Sequence, residues 1–294
     1  MLVCCVGDVM LDVVVDAHAG LVADDDTPAG IVLAAGGQAA NVAAWVSALG
    51  GRARVFGPRS REGAGRLVAE HLAAAGVELH GPETSHPGVV MSLVTQGTRS
   101  LASDPGSLDW LSGISPGDWL DGADWVFVSG YALLRCPEPE LLVEVAAAAR
   151  AEGARVAVDL SSASMIRGYG AARFRRLWQS LEPAAIFAND EEWAATNAED
   201  EEPAAGAWDP VGSGGTSVLV LKHGSGGASF VIDGVEDRHR ASPGPVVDAT
   251  GSGDALTAGY LLGGVEPAMA AAARCVAQVG AQPRVADRDP GKAP

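Results

Sequence analysis

A glycine-rich turn that leads into a helix-forming segment holds the residues best suited to chemistry. Residues 248–254 read DATGSGD, and the apolar segment 255–262 follows at once. The first amides of a helix have no partner within the helix, and the helix dipole adds partial positive charge there. Such a turn can bind a phosphate without a basic side chain. Asp254 lies in the same turn and could accept a proton beside the anion, which favours phosphoryl transfer. A turn that only caps a helix would have the same local sequence.

The composition limits the class of protein. The 294 residues are enough for one large domain with a substantial core, and 48% of them are hydrophobic, as in globular proteins. The net charge of −17 argues against partners that need a basic face, namely nucleic acids and anionic membranes. The four cysteines form no CxxC pair, and the N-terminus lacks the basic region of a signal peptide. We therefore expect a cytoplasmic protein with reduced thiols.

Short apolar runs alternate with alanine-rich segments. This alternation predicts an α/β fold with a mostly parallel sheet that is covered by helices on both faces. The predicted strands are 2–6, 54–56, 125–128, 155–158, 185–187 and 217–221. The predicted helices are 38–49, 64–75, 138–151 and 171–180.

The ends of the predicted strands indicate where a ligand would bind, because ligands of open α/β sheets lie beyond the carboxyl ends of the strands. The residues found there are polar or glycine, and they fall at 7–8, 57, 129–130, 159–161, 189 and 222–224. Two segments, 13–35 and 88–102, interrupt the alternation and read as antiparallel strands. We expect them to form a small lid, and we assign 1–12, 36–87 and 103–294 to the core.

Four motifs occur in order along the chain. They read GDVMLD at 7–12, GGQAANVA at 36–43, NDEE at 189–192 and DATGSGD at 248–254. Together they resemble the ribokinase (phosphofructokinase B) family of carbohydrate kinases, in which the third motif is NxxE and the fourth is DTxGAGD. The resemblance covers nearly the whole chain, and the four motifs in register are far more specific than any one alone.

The resemblance implies a doubly wound, ribokinase-like sheet with a β lid, and ATP and magnesium as cofactors. It implies that Asp254 is the base that takes the proton of an acceptor hydroxyl. The amides of Gly251, Ser252 and Gly253 match an anion hole that stabilises charge during the transfer. A lid over such a site would exclude water.

The same resemblance assigns the acceptor to Asp12, Gly37 and Asn41, which match positions that hold sugar hydroxyls. A carboxylate that accepts and an amide that both accepts and donates suit a polyol. Arg99 in the lid could contact an anionic acceptor, but a solvated hairpin charge is the favoured interpretation.

For the nucleotide and the metals, the resemblance points to the other end of the site. Asn189 and Glu192 match the pair that positions magnesium through water. Asp248 matches a residue near a monovalent-cation site, so potassium activation is an expectation. The remaining candidates on the ATP side are Lys222, Gly224, Gly227 and Thr250, together with Asn189.

Some residues depart from the family pattern. Ser252 replaces the usual alanine of GAGD, which keeps the amide, and Met10 stands where a polar residue is frequent. Gln38 replaces the lysine of ribokinases proper, so ribose is not indicated. The region after Leu262 is short, and no adenine-contacting residue is assigned.

Other enzyme classes lack their signatures here. The chain contains no GxxxxGK[ST], no GxGxxG after the first strand and no GxSxG. The open alternatives are a nucleoside, a sugar phosphate or a keto-sugar acid as acceptor, or a catalytically silent binding protein. We expect a small sugar-like partner, and a homodimer through the lid if its strands expose an apolar edge.

Overall fold

The computed structural model describes residues 1–17, 20–61, 63–95, 98–198 and 217–284, with the backbone alone at 98–99. A nine-stranded sheet forms the centre of this part of the chain. Seven neighbouring strands are parallel, and two antiparallel strands extend one edge. In spatial order the strands are β13 (Val235–His239), β12 (Ala228–Ile232), β11 (Val218–Lys222), β10 (Ala185–Asn189), β9 (Arg155–Asp159), β8 (Trp125–Ser129), β1 (Leu2–Val6), β4 (Arg52–Phe56) and β5 (Val77–His80).

The central strands form where the sequence has short, continuous apolar runs. β1 and β8 are buried along their whole length, which is typical of parallel strands covered on both faces. The predicted strands agree with the structure to within two residues. The sequence did not predict β5, β12 or β13. For β5 and β13 the reason is that they contain charged or exposed residues and lack an apolar run.

Helices cover both faces of this sheet. One face packs on α1 (Gln38–Ala48), α2 (Gly63–Ala74), α8 (Ser252–Gly263) and α9 (Val265–Val276). The other face packs on α3 (Gly130–Arg135), α4 (Glu140–Ala151), α5 (Ala163–Tyr169), α6 (Ala171–Ser180) and α7 (Asp190–Thr196). Side chains therefore alternate between two apolar cores along each strand: Val3 and Cys5 point to one, and Cys4 and Val6 to the other. None of the described helices is long and apolar enough to cross a membrane.

A second, four-stranded sheet lies apart from the first. Its order is β3 (Gly30–Gly36), β2 (Met10–Asp16), β6 (Gly88–Thr95) and β7 (Thr98–Asp104). β2 pairs antiparallel with β3 and β6 pairs antiparallel with β7, as the sequence predicts, but β2 and β6 join the two hairpins in parallel. The sheet begins at Met10, three residues before the position predicted for the start of the lid, so Asp12 lies on a strand of this second sheet.

Candidate active site

Asp254 lies in the first turn of α8 and faces Asn41 on α1. The amide nitrogen of Asn41 donates a hydrogen bond of 2.9 Å to a carboxylate oxygen of Asp254. The side-chain oxygen of Asn41 accepts a hydrogen bond of 3.3 Å from the side-chain nitrogen of Gln282. Because these two partners fix the orientation of the amide, Asn41 presents its donor to Asp254. Asn41, which is predicted to bind the acceptor, is thus in direct contact with Asp254, which is predicted to take the acceptor's proton.

The surroundings of Asp254 favour its protonated form. Burial is the largest effect and raises the pKa of Asp254 from 3.8 to about 7, against the hydrogen bond from Asn41, which lowers it. The carboxylates of Asp159 and Asp12 raise this pKa further, whereas the ammonium of Lys222 lowers it. A carboxyl group with a pKa near neutrality can take up and release a proton at physiological pH.

The turn before α8 depends on a glycine at position 251. Gly251 has φ of 74°, in the left-handed region, and a Cβ there would lie 2.6 Å from the backbone of Ala281. The amide of Ser252 already contacts the carbonyl oxygen of Ala249 at 3.3 Å. The next amides, of Gly253 and Asp254, belong to the first helical turn and have no partner within the helix. The turn therefore has the backbone donors that an anion hole needs.

Lys222 ends β11 and lies beside this turn. Its ammonium donates a bond of 2.6 Å to Asp159, which ends β9 and is 1% exposed. Burial alone would lower the pKa of Lys222, but the carboxylates of Asp159 and Glu192 outweigh it and leave the pKa raised. The lysine is therefore charged within the site.

Asn189 and Glu192 form a capping box at the start of α7. The amide and side chain of Asn189 donate to the two carboxylate oxygens of Glu192 at 2.9 and 2.7 Å, and the Glu192 amide donates back at 2.8 Å. Burial raises the pKa of Glu192, and Lys222 opposes this. The arrangement explains both residues as a helix cap, and it also leaves two oxygen-bearing side chains at the carboxyl edge of the sheet.

These residues fit magnesium that is held partly through water. The described residues contain no group of three or more His, Cys, Asp or Glu side chains suited to enclosing a metal. Magnesium is commonly bound by one or two carboxylates together with water and substrate phosphates, without a full protein cage. The single carboxylate of Glu192 and the carbonyl of Asn189 meet that requirement.

Asp248 ties the turn to the C-terminal segment. One carboxylate oxygen accepts bonds from the amide and hydroxyl of Thr250 at 2.9 and 2.6 Å, and the other accepts a bond of 2.9 Å from the amide of Gly280. Asp248 and Thr250 thus hold the start of the anion-binding turn in place. The predicted cation and nucleotide roles of these two residues remain predictions.

A second glycine turn follows β11. Gly224 and Gly227 both have positive φ, and a Cβ at Gly227 would lie 2.0 Å from the carbonyl oxygen of His239. The amide of His223 closes the turn on the Gly227 carbonyl at 2.8 Å. The turn directly follows Lys222, so three of the predicted ATP-side residues, Lys222, Gly224 and Gly227, lie at the end of β11 and in the loop after it.

The residues predicted to bind the acceptor lie where the second sheet meets α1. Asp12 on β2 lies against Gly36, where a Cβ would fall 2.1–2.3 Å from the carboxyl group of Asp12. Gly37, with φ of 91°, precedes α1, and a Cβ there would lie 2.3 Å from the carbonyl oxygen of Asp8. Gly36 therefore permits Asp12 to pack just before the start of α1, where its charge acts on Asp254, and Gly37 permits close contact with the backbone of Asp8.

Several residues near this site received no role from the sequence. The side-chain oxygen of Gln38 accepts bonds of 2.6 Å from the hydroxyls of both Ser129 and Ser161. Asp8, which is buried, pairs with Arg135 at 2.8 Å. Most of these residues directly follow predicted strands, and that position could have marked them as candidates for the site. Their partners lie in distant parts of the chain, which the sequence alone does not indicate. The side chain of Arg99 lies outside the described residues.

Comparison with known proteins identifies the family. The sequence pattern of pfkB family carbohydrate kinases matches residues 1–283. A 1-phosphofructokinase of Rhodobacter capsulatus is 29% identical over 243 residues, which cover 77% of this chain and 72% of that protein. The crystal structure of an adenosine kinase from Sinorhizobium meliloti superposes with a TM-score of 0.77 at 25% identity, covering 96% of this chain and 95% of that chain.

A further structure shares the fold at lower identity. It is a putative ribokinase II from E. coli in complex with ATP and Mg²⁺, with a TM-score of 0.76 at 17% identity, and 97% and 96% of the two chains are covered. The fold of nearly the whole chain is thus shared with these solved structures. This chain belongs to the pfkB family of carbohydrate kinases.

Proposed function

We propose that this protein transfers the γ-phosphoryl group of ATP to a hydroxyl group of a small, uncharged, sugar-like acceptor. The observation that carries the proposal is the placement of Asp254. Its carboxyl group has a pKa raised to about 7, lies in the first turn of α8 beside a glycine turn, and faces Asn41. A base and an anion-binding turn at one helix end are what phosphoryl transfer to a hydroxyl requires.

Each residue contributes a separate part of the reaction. Asp254 accepts the proton of the acceptor hydroxyl as that oxygen bonds to phosphorus and the bond to the leaving ADP oxygen breaks. The first-turn amides of α8 donate to the oxygens on which negative charge collects. Asp12 and Asn41 orient the acceptor, and the backbone at Gly37 approaches it closely. Bound magnesium ATP would supply the phosphoryl group and neutralise part of its charge.

The nucleotide and metal assignments rest on the residues at the carboxyl edge. We propose that Asn189 and Glu192 hold magnesium through water, and that Lys222, Gly224, Gly227 and Thr250 face the nucleotide. For Asp248 we propose a place beside a monovalent cation such as potassium. Removal of magnesium with EDTA should abolish ADP release, and replacement of potassium by a large organic cation should reduce it.

The charges around the acceptor support an uncharged molecule. The negative charges of Asp159 and Asp12 both raise the pKa of Asp254. Lys222 lies on the nucleotide side, beside Gly253 and Asp159, and Arg135 is paired with Asp8, whose backbone contacts Gly37. A phosphorylated acceptor would bring negative charge toward these carboxylates, and its recognition requires available Arg or Lys side chains.

The test is ADP release with magnesium ATP across pairs of related acceptors, one uncharged and one carrying a phosphate or carboxylate group. The pairs are fructose with fructose 1-phosphate, ribose with ribose 1-phosphate, and gluconate with glucose, and adenosine represents nucleosides. We expect the uncharged member of a pair, or adenosine, to give the higher kcat/KM. Preference for a sugar phosphate would contradict the proposed acceptor class and would point to Arg99. ATP binding without turnover on any acceptor would favour a silent binding protein.

We also propose that two copies associate through the lid. β3 is an edge strand, and its residues Ile31, Val32 and Leu33 are all exposed, Ile31 by 64%. Long, apolar, exposed edge strands tend to pair with another chain. We keep the cytoplasmic location as a proposal, in line with four buried, free cysteines.

A further inference from the structure

Lys222 reaches across the sheet from one strand end to another. β11 and β9 are separated by β10, and Lys222 is in register with Asn189 at the end of that intervening strand. The ammonium passes over this edge to contact Asp159 at 2.6 Å. Its side chain is 15% exposed and that of Asp159 is 1% exposed, so the pair is nearly withdrawn from water.

The same side chain lies along the anion-binding turn. A Cβ on Gly253 would lie 3.3 Å from Cδ and 3.4 Å from Nζ of Lys222. The positive end of Lys222 therefore lies close to the first turn of α8. Asp159 determines this position, because it anchors the ammonium at the neighbouring strand end.

A role in stability alone explains this pair poorly. Burying two charges costs solvation, and buried ion pairs are often no better for stability than apolar residues of similar size. Lysine is also rare in this chain, so Lys222 is unusual among its basic residues. The chain has 20 Lys and Arg residues, and only Lys222 and Lys292 are lysines. Lysine presents a compact charge that can approach an anion from one point, whereas arginine presents a planar fork.

We propose that Lys222 is a catalytic residue that stabilises the phosphoryl group during transfer, and that Asp159 is the positioning residue that holds its ammonium beside the Gly253 turn. The inference rests on the proposed function and assigns a charge to the anion hole that backbone amides alone do not supply. A second role follows because both members of the pair lie close enough to Asp254 to act on its charge.

The two members of the pair act on Asp254 with opposite sign. Its pKa is raised by burial, is lowered by the Asn41 hydrogen bond, and is raised by Asp159 and Asp12 and lowered by Lys222. Lys222→Met should therefore move the acidic limb of the kcat/KM–pH profile to higher pH, and Asp159→Asn should move it to lower pH. If the pair were purely structural, the acidic limb would move in the same direction in the two variants, or would not move in either. That result would overturn the proposal.

The direct test follows the lysine itself in the unaltered protein. With ε-¹³C-lysine, the chain gives two lysine Cε signals, and Lys292→Arg identifies which one belongs to Lys222. The spectra compare the free protein, its complex with magnesium ADP, and the same complex after beryllium fluoride is added to mimic the transferred group. We expect beryllium fluoride to shift the Lys222 signal beyond the shift caused by magnesium ADP. The shift of the Lys292 signal on addition of beryllium fluoride should be less than half of the shift of the Lys222 signal.

The outcomes separate this inference from the function on which it rests. If magnesium ADP binds but beryllium fluoride leaves the Lys222 signal unchanged, the role of Lys222 is wrong and the proposed function stands. If magnesium ADP does not bind in calorimetry, the proposed function fails and the inference fails with it.

Kinetics supply the matching functional result. Lys222→Met should lower kcat about 100-fold, as the loss of one donor to a developing anion does, with the acceptor KM within about 3-fold of the wild type. Lys222→Arg keeps the charge and should retain more activity than Lys222→Met. If Lys222→Met is poorly folded, the double variant Lys222→Met/Asp159→Asn removes both charges and should show the same loss. Wild-type kcat in a folded double variant would overturn the proposal.

Discussion

The carboxyl group of Asp254 is held where ionisation is unfavourable, although ionisation is what its proposed function requires. Burial dominates, and the neighbouring carboxylates of Asp159 and Asp12 add to it, while Asn41 and Lys222 oppose it. The balance leaves the pKa at about 7. Functional carboxyl groups are frequently shifted in this way at the expense of stability.

The raised pKa predicts a stability effect with a defined sign. Between about pH 4 and pH 7 the folded state holds a proton at Asp254 that the unfolded state releases, so this stabilisation is present at low pH and is lost as pH rises through 7. Asp254→Asn removes this ionisation, so its effect on the free energy of unfolding should be more favourable at pH 8 than at pH 4, by on the order of 4 kcal/mol. Urea unfolding of both proteins at the two pH values measures this, and an equal difference at both would refute the shift.

The hydrogen bond from Asn41 predicts a change in the pH dependence of catalysis. Asn41→Leu removes a donor that lowers the pKa of Asp254, so the acidic limb of the kcat/KM–pH profile should move to higher pH. At pH 6 the loss of activity should exceed the loss at pH 8.5. Gln282→Leu is the matched control, because it removes only the bond that orients Asn41 and should move the limb less.

Sequence reasoning singled out residues that lie within motifs and gave no partners for residues that connect different motifs. Asp254, Asn41 and Asn189 stand out because each belongs to a recognisable local pattern. Asp159 was one polar residue among many at strand ends, and its bond to Lys222 spans 63 positions. Such partners depend on the order of strands in the sheet, which a single sequence does not specify.

At the scale of secondary-structure elements, the site is built from strand ends and helix starts. β9, β10 and β11 are parallel and end at the same edge of the sheet, where Asn189 is in register with Lys222 and Asp159 is in register with Phe187. The start of α8 faces this edge. The strand positions were predictable from continuous apolar runs, whereas α3, α5 and α7 are short helices without a strong periodic pattern.

The turn before α8 predicts a position-specific cost for a methyl group. Gly251→Ala places a Cβ 2.6 Å from the backbone of Ala281 and demands positive φ from alanine. We expect it to reduce the free energy of unfolding by about 3 kcal/mol, from about 1–2 kcal/mol of backbone strain and a similar packing cost. The phosphoryl-transfer rate should also fall, because the anion-binding amides move.

Gly122→Ala is the control for this substitution. Gly122 has φ of 70°, close to that of Gly251, but a Cβ there would have nothing within 4 Å. It should therefore show the backbone cost of about 1–2 kcal/mol alone and full activity. Equal destabilisation of the two variants in urea unfolding would show that contact with Ala281 does not constrain the turn.

At the scale of the whole molecule, the second sheet carries Asp12, which we propose binds the acceptor, and leaves an apolar edge exposed. Asp12 lies on β2, next to the edge strand β3. Pairing of two copies through β3 would cover Ile31, Val32 and Leu33 and would stabilise the strand that supports Asp12. The sequence predicted two hairpins here, but it gave no sign that β2 and β6 join them in parallel.

This arrangement predicts a concentration-dependent dimer. Val32→Lys together with Leu33→Glu places charge on the exposed edge and should convert the dimer to a monomer. Because these side chains are exposed, the melting temperature of the nine-stranded core should stay within a few degrees. Light scattering over a range of concentrations gives the mass, and a wild-type monomer at every concentration would contradict the proposal.

The most direct test of the account compares ADP formation by the wild-type protein and by Asp254→Asn, with magnesium ATP and the best acceptor from the panel. Loss of the base should reduce kcat by at least about 1000-fold, while calorimetry shows ATP affinity within about 3-fold of wild type, because the turn and the nucleotide side remain intact. Asp254→Asn that binds ATP normally and retains a tenth or more of the wild-type kcat would contradict Asp254 as the base.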